Sequence, residues 1–392
     1  MKGKERAKGF KNSEDQIKEV AFSPSVEGKS VLDVGSNLAS LCINALEQGA
    51  ARAVALELNC EHLRQAQTMA QSAGVFPEFH RADIESAEIG SFDIVLLLNA
   101  LENFRDPIGL LRKLALATRE RLVIEAPSLN AAGAAPQDLF RSWVERKRFR
   151  ALDTYPFAYV GPHSSTNWEQ HFIFTAPALR SLLDGHMRLF QRIEALRSEH
   201  AGRFLLRCTR LKIDRLVVVS GVNSAGKSTL CEKLARNELR DNIGIPDLST
   251  AVFVAPSMLR ERPTEAIFLQ SETRLGIFHY DISSVHNRGL NYYARDPSTD
   301  LLRCAAQIDF VIVAPTKETL NKQLAGAGKD RHIGLFAHPG HLAQVHADWI
   351  EFCASTPAAS RFLTYQEKDG VRRLIPQASK AEALAEIHRL YS

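Results

Sequence analysis

Leu216-Val-Val-Val-Ser220-Gly221-Val-Asn-Ser-Ala-Gly226-Lys227-Ser228-Thr229 is the stretch on which the reading of this chain turns. Leu216–Ser220 is a short apolar, β-branched run, the pattern of a strand buried on both faces of a parallel sheet. It runs straight into a complete GxxxxGK[ST], a match expected by chance roughly once in a hundred chains of this length. Glycines at 221 and 226 let successive backbone N–H groups curl round an anion, and a helix opening at Lys227 points its positive dipole end at the same place. Gly221, Asn223, Ser224, Ala225, Gly226, Lys227, Ser228 and Thr229 are therefore candidates to cradle the phosphates of ATP or GTP. Lys227 is expected to reach the β- and γ-phosphates and Ser228 to ligate Mg²⁺, with Thr229 supporting the loop or the α-phosphate.

Such a loop needs an acid at the end of a neighbouring strand, and Leu275-Gly-Ile-Phe-His-Tyr-Asp281 supplies an apolar run ending in Asp281, the candidate second metal ligand. Asp247 is a weaker alternative, as a magnesium ligand or as a base on an acceptor hydroxyl. Farther on, Ile308–Pro315 reads as another buried strand, followed by a helix over Lys317–Leu324 and a Gly/Lys/Arg segment, Gly326–Arg331. That order resembles small P-loop kinases, whose mobile lid brings cations over the transferring phosphate. The resemblance implies such a role for Lys329 and Arg331. An Asn-Lys-x-Asp base-recognition motif is absent from the sequence, which favours a kinase-like ATPase over a GTPase switch.

Upstream, from Ser30, apolar runs alternate with helical patterns, the signature of a doubly wound α/β sheet. Strands are expected at Val31–Val34, Ala53–Leu58, Phe92–Leu98 and Arg121–Glu125, with helices at Ala39–Gln48, Glu61–Ala73 and Pro107–Ala117. Later come a helix near Ala176–Asp184 and strands at Leu189–Ser198 and Arg203–Arg210. A glycine turn after the first strand and an acid, Glu57, at the end of the second form the shared nucleoside-binding arrangement, in which the acid binds ribose hydroxyls. On these residues alone an NAD enzyme stays open.

Val31-Leu-Asp-Val-Gly35-Ser-Asn37 resembles motif I of class I S-adenosylmethionine (SAM)-dependent methyltransferases, over about residues 15–212. The resemblance implies SAM as cofactor, held by Asp33, Gly35, Asn37 and Glu57. Ala-Asp83-Ile resembles the family's adenine-contacting acid segment, and Asn99-Ala-Leu-Glu-Asn-Phe-Arg-Asp-Pro its segment after the fourth strand, with Asn99 in the cofactor set. The two late strands match the family's closing antiparallel hairpin. Two positions depart: Ala39 replaces the last motif glycine, and Asn103 stands where His is frequent. A Cβ at 39 is expected to be tolerated if that residue is already helical, while narrowing the cofactor approach. The aromatic-rich insert with Tyr155, Tyr159, His163, Trp168, Glu169 and His171 falls where this family builds its acceptor site, making His163 and His171 candidate general bases.

The expected fold is therefore α/β, two doubly wound domains in series: a basic tail at 1–14, a methyltransferase-like domain at 15–212 and a P-loop domain at 213–392. At 392 residues, 45% hydrophobic and 24% charged, the chain has apolar material for two cores. A net charge of +4 spread over both halves offers no concentrated basic face, which argues against nucleic acid as partner. Six cysteines without paired spacing exclude a disulfide framework or zinc knuckle and point to reduced thiols in the cytoplasm. Absence of a long apolar run predicts no transmembrane segment. The combined reading is a bifunctional transferase moving a methyl group from SAM and a phosphoryl group from MgATP to a glycan or small-molecule acceptor. The glycan rests on analogy with methyltransferase–kinase pairs that cap bacterial surface polysaccharides. A regulatory ATP-binding protein with a non-methylating N-terminal half and a tRNA-modifying methyltransferase are the alternatives. The acceptor, the order of reactions and the oligomeric state are left open.

Overall fold

The computed structural model of the chain describes residues 14–129, 152–160, 172–239, 244–262, 264–269, 274–283, 293, 296–329, 336, 338, 340–368 and 371–391. The chain divides into two compact units, Met1–Leu211 and Lys212–Ser392. Glu14, read with the tail, opens a helix over residues 14–22.

The first unit is built on a seven-stranded sheet of strands β1 (Ser30–Val34), β2 (Arg52–Leu56), β3 (Glu78–His80), β4 (Phe92–Leu98), β5 (Thr118–Pro127), β8 (Phe190–Arg197) and β9 (Arg203–Arg210), with a separate β6 (Ala158–Val160) and β7 (Phe172–Phe174) hairpin. The order is β3-β2-β1-β4-β5-β9-β8. The first five strands are parallel, and β9 and β8 close the edge antiparallel. Helices Ser40–Glu47, Cys60–Ala73 and Pro107–Ala117 make the crossovers. Two of them start on capping side chains: Asn59 accepts from the Glu61 and His62 N–H groups, and Asp106, ahead of Pro107, accepts from Gly109 N. Strand order reverses at β1, which has β2 on one side and β4 on the other; a ligand crevice in such sheets opens at this point, at the carboxyl ends of the strands.

The second unit has a six-stranded sheet in the order β11-β12-β10-β13-β14-β15. Its strands are β10 (Ile213–Gly221), β11 (Val252–Val254), β12 (Leu275–Asp281), β13 (Ala305–Val313), β14 (Ala359–Lys368) and β15 (Val371–Gln377). All run parallel except β15, which turns back on β14. The switch here lies at β10, between β12 and β13. Register sets Gly221 opposite Asp281 and Ser220 opposite Tyr280.

Beneath this edge lies an aromatic core centred on Trp349, fully buried on helix His341–Ala354. Its ring stacks on Tyr280 at 4.7 Å, meets Phe310 edge-on at 6.4 Å and lies 5.6 Å from Phe352. Its indole N–H donates to Ser220 Oγ at 2.8 Å. The residue before Gly221 and the residue before Asp281 are thus held by one side chain.

Most strand bounds shift by one to three residues, and two helix bounds change in conformation. The helix expected from Ala39 starts at Ser40, with Ala39 outside it at φ 53°, ψ 29°. The helix near Ala176–Asp184 is an α-helix only to Ser181 and continues as a π-turn over Leu182–His186.

Candidate functional site

Each unit carries a cavity at its switch point. In the second unit a cavity of about 480 Å³ is lined by Asn223 to Thr229, His279, Asp281, Gln323 and Lys329 among others. The loop leaves β10 at Gly221, where a Cβ would stand 2.8 Å from the Val313 carbonyl oxygen, so only glycine fits against β13. Gly226 precedes the helix Lys227–Ala235 with φ 98°, a conformation natural only to glycine. These two glycines shape a concave backbone turn that the strand before it and the helix after it hold in place.

Lys227 is 5% exposed; its Nζ donates to the Val222 carbonyl at 2.6 Å and lies 3.7 Å from Asp281 Oδ2. Burial lowers its pKa from the ordinary lysine value, Asp281 opposes the shift and Lys329 adds to it. Asp281 is anchored through its other oxygen, which accepts from Ser283 N at 3.0 Å and Ser283 Oγ at 2.6 Å, and the same hydroxyl accepts from Asn223 N at 3.1 Å. Lys329 donates to Asn223 Oδ1 at 2.6 Å. Ser228 Oγ lies 3.5 Å from His279 Nε2, and burial, then Lys227, lower the His279 pKa, favouring the neutral imidazole. Asp247 lies apart from this group: it does not line the cavity, and it accepts from Asn237 Nδ2 at 2.6 Å and from Ser249 N.

The loop fits a nucleotide polyphosphate. Two glycines leave room that a Cβ would fill, and an ammonium group points into the turn with a second beside it. A hydroxyl and a carboxylate, Ser228 and Asp281, line the same cavity and are oxygen donors of the kind Mg²⁺ takes.

In the first unit a cavity of about 720 Å³ is lined by Gly35, Glu57, Asp83, Asn99, Asn103 and Phe104 among others. The strand register Val34↔Leu56 and Val34↔Leu97 brings the residues that follow β1, β2 and β4 to one mouth. Glu57 organises it: Oε2 accepts from Asn37 N at 2.8 Å and Oε1 from Asn59 N at 2.9 Å. Each oxygen retains a lone pair, so the carboxylate is both fixed and able to accept from a ribose diol. Gly35, at φ 70°, keeps the crevice open; a Cβ there would sit 3.3 Å from that of Ala100. Asp83 Oδ1 accepts from Glu85 N at 2.9 Å, which sets the carboxylate at the cavity wall. Asn99 adopts φ 54° on leaving β4.

Asp33 is buried and does not line the cavity. Its pKa is pushed up to about 7, first by burial and then by Glu57. Ala39 faces the core rather than the crevice: its methyl is completely buried in the cluster with Val31, Leu41 and Ala55. The expectation that it is helical, and that it narrows the cofactor approach, is thus corrected. Placing alanine in the left-handed region costs about 1 kcal/mol, comparable to the roughly 0.8 kcal/mol contributed by one buried methyl group. Glu102, two residues past Ala100, turns into a buried ion pair with Arg203 instead of lining the cavity.

Sequence reasoning placed Gly35, Glu57, Asp83 and Asn99 at one cavity and Asn223 to Thr229 with Asp281 at the other. His163, His171 and Arg331, as well as Trp168 and Glu169, lie outside the described residues. Tyr155 is 64% exposed. Missed were His279, Ser283 and Gln323. For His279 a signal existed: it lies two residues before Asp281 on one strand, hence on the same face. None of the six cysteines forms a disulfide. Among the described residues no helix is long and apolar enough to cross a membrane, and no cluster of three or more His, Cys, Asp or Glu side chains is arranged for a metal.

The family model of the methyltransferase domain matches residues 32–121, the stretch from β1 into β5 that holds the whole set of predicted residues at the first cavity. Among solved structures, a Listeria monocytogenes protein assigned as an S-adenosylmethionine dependent methyltransferase is 18% identical, over 52% of this chain and 99% of its own, with a TM-score of 0.40. Magnesium protoporphyrin IX methyltransferase of Synechocystis PCC 6803 is 16% identical, over 53% of this chain and 83% of its own, at 0.36. An S-adenosylmethionine dependent methyltransferase of Mesorhizobium loti is 17% identical, over 48% of this chain and 93% of its own, at 0.33. No curated protein matches the chain.

Proposed function

We propose that the chain is a two-site transferase, using SAM to methylate and MgATP to phosphorylate a small-molecule or glycan acceptor. The observation that carries the methyl-transfer half is Glu57, fixed by two backbone N–H groups at the mouth of a cavity that also holds Gly35, Asp83 and Asn99, all within the stretch matched as a methyltransferase domain. Glu57 binds the ribose hydroxyls, Asp83 faces the adenine amino group, and the backbone at Gly35 admits the cofactor. SAM supplies an electrophilic methyl on a sulfonium. The protein's task is to hold an acceptor nucleophile in line with it and keep water out.

The phosphoryl-transfer half is supported by the glycine geometry of the loop, by buried Lys227 beside Asp281, and by a strand order in which the loop-bearing strand sits centrally between β12 and β13. Lys227 and the loop N–H groups bind the β- and γ-phosphates, and Ser228 and Asp281 hold the metal that neutralises them. The regulatory alternative rested on Ala39 obstructing the cofactor, and a methyl packed in the core removes that support.

Calorimetric titration of the full chain with SAM and with MgATP tests both halves. Glu57→Ala is expected to weaken SAM binding about 10- to 100-fold, because hydrogen bonds to a charged group contribute about 1.5–3 kcal/mol, and to leave MgATP binding unchanged. SAM binding that survives Glu57→Ala at full strength would remove the first half of the proposal.

The raised pKa of Asp33 adds a pH dependence. A carboxyl with a folded value of about 7 is neutral below that pH and an anion above it. SAM carries cationic sulfonium and ammonium groups, so its affinity is expected to rise about three- to tenfold from pH 6 to pH 8. In Asp33→Asn the same titration should be flat; a rise that persists would assign the dependence to another group.

A further inference from the structure

The hairpin of β14 and β15 brings to the phosphate loop a cation that no motif predicts. Because β14 is parallel to β13 and β15 is antiparallel to β14, the first residues of β15 stand at the carboxyl edge of the sheet. This is the edge from which the loop 221–229 rises. Arg372 is the second residue of β15 and is half-buried.

Its guanidinium reaches Gly226: a Cβ built on that glycine would stand 2.9 Å from Arg372 Nη1. Gly226 is required by its φ of 98°, and its missing side chain leaves room for the guanidinium to approach the loop. A third residue fixes the arrangement. With its amide oriented to satisfy both neighbours, Gln323 donates to the Ser224 carbonyl at 2.8 Å and accepts from Arg372 Nη2 at 3.1 Å. The partner that orients the guanidinium is a neutral amide, so its charge is not cancelled there.

We propose that Arg372 is a phosphate-contacting residue of this site, bound to the terminal phosphate of MgATP, with Gln323 as its positioning residue. The inference rests on reading 221–229 as a nucleotide loop. Anion chemistry favours it over a purely structural bond. A planar guanidinium pairs two N–H groups with two phosphate oxygens, and Arg372 joins Lys227 and Lys329 around a turn whose carboxylate, Asp281, is engaged by Ser283 and Lys227, while Glu367, opposite Arg372 in the hairpin register, is exposed.

The test is calorimetric titration of the full chain with MgATP and with MgADP, using wild type, Arg372→Gln, Arg372→Lys, Lys227→Ala and Arg373→Gln. Arg373, the exposed next residue on β15, controls for loss of charge and for hairpin stability, and melting curves are recorded for each variant. Arg372→Gln is expected to weaken MgATP about tenfold or more and MgADP about threefold or less, with Arg372→Lys in between and Arg373→Gln like wild type. If Lys227→Ala loses nucleotide while Arg372→Gln binds both like wild type, the assignment of Arg372 fails and the loop reading stands. Equal losses on MgATP and MgADP overturn the terminal-phosphate contact. If wild type binds neither nucleotide, the loop reading itself fails, and this inference with it. Should Arg372→Gln melt early, Arg372→Lys decides: ATP-selective weakening supports the contact, and unchanged affinity overturns it.

Discussion

Lys227→Ala is expected to lower MgATP affinity about 100-fold or more while leaving the C-terminal unit folded. The ammonium group is buried and held within hydrogen-bonding range of its own loop, and burial already pulls its pKa down. Truncating one partner of a desolvated charge pair costs about 2–5 kcal/mol, and each 1.4 kcal/mol is tenfold in affinity. In the free protein the same truncation removes a buried charge held by one carbonyl and by Asp281 across 3.7 Å. That removal offsets the lost contacts, so the melting temperature should stay within a few degrees of wild type. Affinity and stability therefore separate. Calorimetry and a melting curve on one preparation check both, and MgATP binding retained at wild-type strength would exclude Lys227 from the phosphates.

Trp349→Ala has the largest expected effect on stability, about 4 kcal/mol. Four rings, Tyr280, Tyr293, Phe310 and Phe352, lose their central partner, and Ser220 loses the indole N–H that it accepts. Trp349→Phe keeps much of the ring contact and removes only the N–H, so about 1–2 kcal/mol is expected. Urea unfolding followed by far-ultraviolet circular dichroism would report the loss in the C-terminal unit, provided that the two units unfold in separable transitions. Since Ser220 precedes Gly221 and Tyr280 precedes Asp281, weakened nucleotide binding is expected to accompany it. A Trp349→Ala protein with unchanged urea midpoint would show that the aromatic stack is not what supports the loop.

The elements carrying chemistry were the most legible ones. Leu216–Ser220 is apolar and β-branched, and the glycines after it have a stereochemical reason that residue type alone conveys. Glu57 and Asp281 were readable as acids at the ends of apolar runs. By contrast, β14 was missed because its pattern mixes apolar and polar side chains. Thr364 and Gln366 are buried within it, and they are satisfied by Gln377 from β15 and Glu386 from the helix Lys380–Tyr391, partners that no local window contains. Strands β3 and β11, three residues each, carry too little pattern to be read and exist through pairing with β2 and β12.

Position 39 was legible only in part. The substitution of alanine for a motif glycine is visible in the letters, but not that its backbone is left-handed or that its methyl points into the core. The sequence by itself determined the two α/β patterns, the phosphate-type loop and the acids that close each site, because these follow from side-chain periodicity and glycine stereochemistry within a few residues. Tertiary structure alone decided that Trp349 props both strand ends beneath the loop, that burial lifts Asp33, and that Arg372 and Gln323 reach Gly226 and Ser224. Such contacts join residues far apart in the chain, and only strand order and register determine which of them meet.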